Sequence, residues 1–555
     1  MQGLMMEYPL TLLAILQRAE QLFGSREIVT RLPNKELHRY TYADFVARAK
    51  RLAMALRELG IRPGDRVATL MWNSYQHLEA YFGIPAIGAV LHTLNLRLHP
   101  DDLTYIVNHA DDRVLIVDAT LLPLYEQYRE LIHPEHVIVV GGAPAAGLLD
   151  YERLLAAADP TNFRYPALDE RDAAAMCYTS GTTGRPKGVL YSHRALALHS
   201  LALALVDGLA VSERDTVLPV VPMFHANAWG VPFAATMVGA RQVFPGRHLD
   251  AESLLDLFER EQVTFTAGVP TIWLGVVQAL DRQPGRWKLV PGMRMAVGGS
   301  AAPESLIRAL DRHNLHLIHA WGMTEMSPVG TISHLAPDLL DAPTDTQYAY
   351  RALQGRPVPF IEIRARGDQG LVPWDGKSMG ELEVRGAWVA GAYYNAPEGD
   401  DKFTEDGWFR TGDVVTIDPR GYVKITDRTK DLIKSGGEWI SSVDLENALM
   451  GHPAVAEAAV IAVPHPTWQE RPLAVVVLKD GQQATADELR AYLEPRFARW
   501  WLPDAFEFVE AIPRTSTGKF LKSALRERFR NYRLPGADSN AVAILESNPE
   551  GQEAA

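Results

Sequence analysis

The sequence predicts an α/β protein with largely parallel sheets, followed by a smaller α+β segment. The first third alternates helix-like and strand-like periodicity, and its strand candidates are short, β-branched apolar runs. A turn-dense, polar–apolar alternating stretch begins near Gly355. After it come about a hundred residues with strands and helices of their own, the size of a small independent domain.

Near the N-terminus, Leu10, Leu13, Ile15, Leu16, Ala19 and Leu22 fall on one helical face. Phe45, Ala49, Leu52, Ala53, Leu56 and Leu59 mark a second amphipathic helix. "RPGD" then turns the chain into the strand "RVATLMW", and "GAVLHTL", "RVLIVDA" and "HVIVVGG" read as further buried strands. "GRPVPFIEIRARGDQGLVPWDGKSMGELEVRG" predicts an antiparallel β subdomain. From "DRTKDLIKSGG" onward the strands are "AAVIAVP", "RPLAVVVLKD" and "AFEFVEAI". The last residues lack periodicity and are expected to fray.

A chain of 555 residues is too long for one ordinary core. Hydrophobic residues at 47% and charged ones at 22% fit a globular protein rather than a disordered one. A formal charge of -13 argues against nucleic acid as a partner, which usually calls for a basic patch. Cys177 is the single cysteine, so no internal disulfide forms and a cytoplasmic, reducing location is expected. No stretch is long enough to be a transmembrane segment.

The chemistry is first visible in "CYTSGTTGRPKGVLYSHRA" (177–195). Gly181, Gly184 and Gly188 allow turns closed to other residues and leave backbone N–H groups free to meet an anion. Thr179, Ser180, Thr182 and Thr183 add hydroxyls, and Lys187 adds charge. A flexible surface loop is the competing reading. Against it, the apolar run "AAAMCY" plants the loop at a strand end, where α/β sheets bind ligands. The G-K-[ST] ending that puts a hydroxyl on Mg²⁺ in kinases and GTPases is missing, which excludes that class.

"YTSGTTGRPKG" resembles the signature of the adenylate-forming superfamily: acyl- and aryl-CoA synthetases, luciferases and amino-acid adenylation domains. "WGMTE" (321–325), "WFRTGD" (408–413), "DRTKDLIKSGGEWIS" (427–441) and "PRTSTGK" (513–519) follow in the family's order. The resemblance implies a large N-terminal domain (1–427) of two α/β subdomains plus a β subdomain. It also implies a small mobile C-terminal domain (428–535), with 536–555 as a tail. The implied reaction joins a carboxylate to AMP from ATP, releasing pyrophosphate, and then passes the acyl group to coenzyme A.

By the same resemblance, Thr179 to Gly184 and Lys187 hold the departing pyrophosphate. Glu325 and Thr179 are the Mg²⁺ ligands, and Thr324 touches the α-phosphate. Gly299, His319, Ala320 and Trp321 form the adenine slot, with a buried core tryptophan the competing reading for Trp321. Asp413 and Arg428 hold the ribose. Lys519 bridges the attacking carboxylate and the α-phosphate, and Lys430 is the hinge. Lys434 and Trp439 reach the phosphate and pantetheine region, where Ser435, Gly436 and Gly437 admit the pantetheine arm.

The runs 216–240 and 265–280 contain no acidic residue, lysine or arginine, and an apolar wall suits an aliphatic tail. Plain core is the alternative for part of them. Amino-acid adenylation domains place an aspartate after the Phe of the stretch matching "PMFHANAW"; here His225 stands there, which disfavours an ammonium-bearing substrate. The segment looks most like bacterial medium- and long-chain fatty acyl-CoA synthetases. That likeness implies acid-pocket roles for His225, Trp229, Val269 and Gly299, with Trp229 as a gate and His225 beside the reacting carboxylate; Ala226 and Trp229 are also implied to contact ATP. An aryl- or short-branched-acid ligase stays open, because Trp229, Phe233 and Trp273 could narrow the pocket. A non-catalytic nucleotide-binding relative ranks low, since Glu325 and Lys519 are both present. Relatives of this kind are often homodimers, and the N-terminal helix would serve as the contact arm.

Overall fold

The computed structural model describes residues 1, 3–142, 146–179, 185–428, 431–435, 438–514 and 520–534. The chain forms two compact units. One comprises Met1–Ala302, Leu306–Ile363 and Glu383–Arg410; the other comprises Pro303–Ser305, Arg364–Leu382 and the chain from Thr411 onward.

The first unit is built on two large sheets. The seven-stranded one runs in the order Leu149–Asp150, His136–Val140, Asp112–Asp118, Arg66–Leu70, Val90–Thr93, Ala173–Tyr178, Gly188–Ser192. All its pairings are parallel except the last, where the chain doubles back beyond Tyr178. The four strand candidates of the first third all lie in this sheet. In the nine-stranded sheet, Leu315–Gly322, Met293–Val297, Phe265–Gly268, Thr216–Pro219, Arg241–Phe244 and Glu27–Arg31 lie side by side in parallel, with antiparallel strands at both edges. Helices such as Tyr42–Glu58 and Pro270–Arg282 cover the sheets, as parallel strands require.

Helix starts follow local chemistry. Thr41 caps Tyr42–Glu58 in a full capping box with Asp44, and Ser192 caps His193–Ala204. Trp273, Leu254, Phe258 and Met295 fill the core beside the nine-stranded sheet. Leu70, Leu115, Val117 and Tyr128 fill that of the seven-stranded one.

The turn-dense segment forms a five-stranded sheet, Gly370–Leu371, Ile361–Gly367, Gly380–Gly386, Phe409–Ile417, Val423–Arg428, with antiparallel pairing at both ends of that order. In the second unit Val455–His465 and Gln469–Leu478 make a long antiparallel pair, and Ala505–Phe508 joins it in parallel. Among the described residues no helix is long and apolar enough to cross a membrane.

Several histidines are sealed inside the first unit. Burial lowers the pKa of His77, His193 and His319 to about 4 and that of His199 to about 3. The unfolded chain takes up these protons near pH 6.5, whereas the folded chain does not. Stability is therefore complete above pH 6.5 and falls as the pH drops toward 4, by up to about 1.4 kcal/mol per pH unit for each such group. Denaturant midpoints measured between pH 7 and 4 should fall along this course. His199→Gln should flatten part of the slope; an unchanged slope would mean His199 does not resist protonation.

Candidate active site

Strand Ala173–Tyr178 delivers Thr179 to the edge of its sheet, and the return strand starts at Gly188. The base of the loop is closed twice: Thr179 N–H donates to Lys187 O (2.9 Å), and Lys187 N–H donates to Thr179 Oγ1 (3.0 Å). Ser180, Gly181, Thr182, Thr183 and Gly184 lie outside the described residues. Lys187 Nζ sits 4.9 Å from the centre of the Tyr393 ring, a cation–π contact.

That tyrosine links the loop to Glu325. Its hydroxyl donates to Glu325 Oε1 (2.7 Å), while Ala390 N–H donates to Glu325 O (2.7 Å). Glu325 is 7% exposed and lies in the single turn Thr324–Met326 after strand Leu315–Gly322. Tyr191 O–H donates to Thr324 O (2.7 Å). Burial pushes both phenols well above their usual range, with the Glu325 charge adding to it, so both remain proton donors. The donor set fits Mg²⁺: a nearly buried carboxylate and a hydroxyl are hard oxygens, and Mg²⁺ takes few protein ligands beside water and phosphate. Sequence reasoning missed Tyr393 and Tyr191. Tyr191 lies inside the quoted loop motif, but nothing in its spacing separates it from a core residue.

The acid-pocket and adenine-slot candidates lie at the carboxyl ends of four neighbouring parallel strands, the usual place for ligands in such sheets. Thr216–Pro219 leads to His225, Ala226 and Trp229; Phe265–Gly268 leads to Val269. Met293–Val297 leads to Gly299, and Leu315–Gly322 contains His319, Ala320 and Trp321. A Cβ on Gly298 would come within 3.1 Å of Ala320 O and 3.2 Å of the Trp229 indole, so a bare glycine lets Trp229 lie against this backbone. Gly299 has φ +83°, open mainly to glycine. Trp321 is 7% exposed and packs over Gly330, close to the core reading. His319 is neutral, its Nδ1 3.0 Å from Ala352 O. Phe233 and Trp273 are fully buried core side chains.

The turn carrying Ala226 to Trp229 is unusual. Its four residues have φ of 40°, 52°, 51° and 55°, a left-handed turn without glycine. Such a conformation costs about 1–2 kcal/mol per residue and clusters at functional sites.

In the second unit, Asp413 and Arg428 are cross-strand partners, with Arg428 Nε 3.2 Å from Asp413 Oδ1. Asp413 is 4% exposed, and left-handed Gly412 before it donates its N–H to Glu381 Oε1 (3.1 Å). Lys434 N–H donates to Glu470 Oε2 (2.8 Å), and Ser435 Oγ accepts from Arg471 Nη1 (3.1 Å). Trp439 lies in strand Glu438–Ile440. Lys430, Gly436, Gly437 and Lys519 lie outside the described residues. Ser442 donates from both N–H and Oγ to Asp427 Oδ2 (2.8 and 2.6 Å). Lys522 Nζ lies 2.6 Å from Glu446 Oε1.

Residues 16–394 match the family model for AMP-binding enzyme, and residues 444–519 match that for the AMP-binding enzyme C-terminal domain. The chain belongs to the AMP-binding enzyme family. Among family members, it is 54% identical to a long-chain-fatty-acid–CoA ligase of Thermus thermophilus, over 95% of this chain and 97% of that one. It is 45% identical to a 3-methylmercaptopropionyl-CoA ligase of Ruegeria pomeroyi, over 96% and 99%. The solved anthranilate CoA ligase AuaEII in complex with anthranoyl-AMP superimposes with a TM-score of 0.83 at 27% identity, covering 94% of this chain and 98% of that one. The architecture is therefore that of an AMP-forming acid–thiol ligase, a mixed α/β protein with several sheets.

In this AMP-binding enzyme, Tyr393→Phe removes one hydrogen bond to a buried carboxylate and little else. Pyrophosphate exchange should slow about tenfold or more, with a raised KM for MgATP and an unchanged melting temperature. Unaltered kinetics would take Tyr393 out of the nucleotide chemistry.

Proposed function

We propose that this protein is an ATP-dependent fatty acid:CoA ligase acting on medium- to long-chain acids. The observation that carries the reading is 54% identity along nearly the whole chain with a long-chain-fatty-acid–CoA ligase. The uncharged wall of 216–240 and 265–280 supports it, because each buried CH₂ of a tail is worth about 0.8 kcal/mol.

The acid's carboxylate attacks the α-phosphorus of ATP, and the bond to the β-phosphate oxygen breaks to release pyrophosphate. The coenzyme A thiolate then attacks the acyl carbon, and AMP leaves. Two anions must meet in the first step, so the protein's task is positioning and charge neutralisation. Lys187 and the segment Thr179 to Gly184 receive the pyrophosphate, and Thr324 the α-phosphate. Lys519 bridges carboxylate and phosphate. Glu325 and Thr179 would hold Mg²⁺, which would supply further charge neutralisation. Asp413 and Arg428 take the ribose hydroxyls, while Gly299, Ala320 and Trp321 line the base with His319 behind them. His225, Trp229, Val269 and Gly299 receive the acid head and the start of its tail, with Ala226 on the nucleotide side. The C-terminal domain, 428–535, turns about Lys430 to exchange Lys519 for Lys434, Ser435, Gly436, Gly437 and Trp439 at the second step. The working form we propose is a homodimer in the cytoplasm, a reducing compartment that suits the free thiol of Cys177.

A short-acid ligase is the second reading. The Ruegeria relative's name specifies a short thioether acyl group, and Trp229 is bulky and 7% exposed. Mass spectrometry of products from MgATP, coenzyme A and acids of two to eighteen carbons separates the two; turnover confined to short or aromatic acids overturns ours.

Lys519→Ala should abolish acyl-adenylate formation while sparing thioester formation from supplied acyl-adenylate. Equal loss in both half-reactions would contradict the assignment.

A further inference from the structure

Asn227 lies between His225 and Trp229, is 1% exposed, and adopts φ 52°, ψ 47°. Asparagine visits this region more readily than most residues, so its presence has a backbone explanation. The side chain, however, is half-used. Its Oδ1 accepts from Cys177 Sγ at 3.6 Å. Its Nδ2, buried from solvent, has no hydrogen-bond partner among the described residues. The Tyr81 hydroxyl donates to Met223 O, and its oxygen lies close enough to the amide for the amide to offset part of the rise that burial gives the phenol's pKa. It is a competing acceptor for Nδ2, although the geometry of a full hydrogen bond is not met.

Cys177 holds the amide in this sense. It sits on the strand that feeds the phosphate loop, two residues before Thr179, and Thr93 Oγ1 lies 3.3 Å from its sulfur. Thr93 also donates to Phe224 O (3.3 Å), on the segment leading into the left-handed turn. Burial raises the thiol's pKa to about 11, so it keeps its proton and donates. With Oδ1 occupied, both Nδ2 hydrogens are left for something else. A buried N–H₂ without an acceptor is costly and calls for an explanation.

A carboxylate brought into the uncharged run 216–240 needs hydrogen-bond donors, since burying it bare is costly. We propose that Asn227 Nδ2 donates a hydrogen bond to the substrate carboxylate oxygen that becomes the acyl carbonyl of the adenylate, with Cys177 and Thr93 as positioning residues that orient the amide. This rests on the ligase reading above. The donor serves substrate and acyl-adenylate alike, so its loss weakens binding of the acid head without touching the nucleotide.

The test compares wild type, Asn227→Gly and Asn227→Asp by pyrophosphate exchange with a medium-chain acid, alongside melting temperatures. Glycine tolerates the left-handed backbone at least as well as asparagine and removes the donor. The expected result is a folded Asn227→Gly protein whose KM for the acid is raised about tenfold to a hundredfold, with KM for ATP within about twofold. Asn227→Asp, isosteric but without donors, should bind the acid no better than Asn227→Gly. Cys177→Ala should give a smaller shift of the same kind. An Asn227→Gly enzyme with wild-type KM for the acid overturns the proposal, leaving asparagine a backbone choice only. So does a Tyr81→Phe enzyme that reproduces the Asn227→Gly pattern, because the amide then serves that hydroxyl. If wild type itself exchanges no pyrophosphate with any acid, the ligase reading fails instead.

Discussion

Asn73 uses its whole amide to join the two large sheets. Its Nδ2 donates to Pro219 O (3.0 Å) and Val221 O (2.9 Å), and its Oδ1 accepts from Met223 N–H (2.7 Å). It follows strand Arg66–Leu70 of one sheet; its partners are Pro219, which ends strand Thr216–Pro219 of the other, and Val221 and Met223 just beyond it. At 4% exposure these three bonds compete with no water, so losing one would strand a buried group. Tyr81 and Thr93 hold the next carbonyls, at Met223 and Phe224. The segment that reaches His225 is thus fixed from the neighbouring sheet before it enters its left-handed turn. Strain of several kcal/mol in that turn is tolerable only because its approach is held this firmly.

Charge is treated with the same economy. Around Glu325 and Lys187 the first unit places neutral phenols: Tyr393 donates to the carboxylate and stacks under the ammonium. A buried arginine at that point would neutralise Glu325 and spoil it as a cation ligand, whereas a phenol orients it and leaves its charge available. Asp413, by contrast, has the Arg428 guanidinium beside it, a charged partner that orients the carboxylate.

Much of this was legible in the sequence. Strands such as Asp112–Asp118 and His136–Val140 are continuous apolar runs that parallel pairing buries on both faces, and helix Tyr42–Glu58 shows its inner stripe plainly. The strand end leading to Thr179 was legible from the apolar run "AAAMCY" that precedes the glycines and hydroxyls. Tyr393 was not: it meets Glu325 across 68 residues, and no local pattern encodes such a contact. Nor was the left-handed run at Ala226 to Trp229, because alanine and tryptophan have no propensity for it; the surroundings impose the conformation. Trp273 and Phe233 could be read as pocket lining from hydrophobicity alone, which cannot tell a wall from a core.

The segments expected to do chemistry are pinned at both feet by short-range pairing. Thr179 and Lys187 close one. In the second unit Arg514 pairs with Phe520 as an antiparallel bridge, its guanidinium 4.9 Å from the Phe520 ring and 2.5 Å from Glu457. Leu521 N–H donates to Pro513 O (2.7 Å). Beyond that, Lys522 is paired with Glu446; burial works against its charge, but the carboxylates of Glu446, Asp427 and Asp431 outweigh it and raise the pKa. Lys522 therefore anchors the helix Lys522–Arg528 and is unavailable to a substrate, and the backbone on either side of 515–519 is set by the pairings of Pro513 with Leu521 and of Arg514 with Phe520.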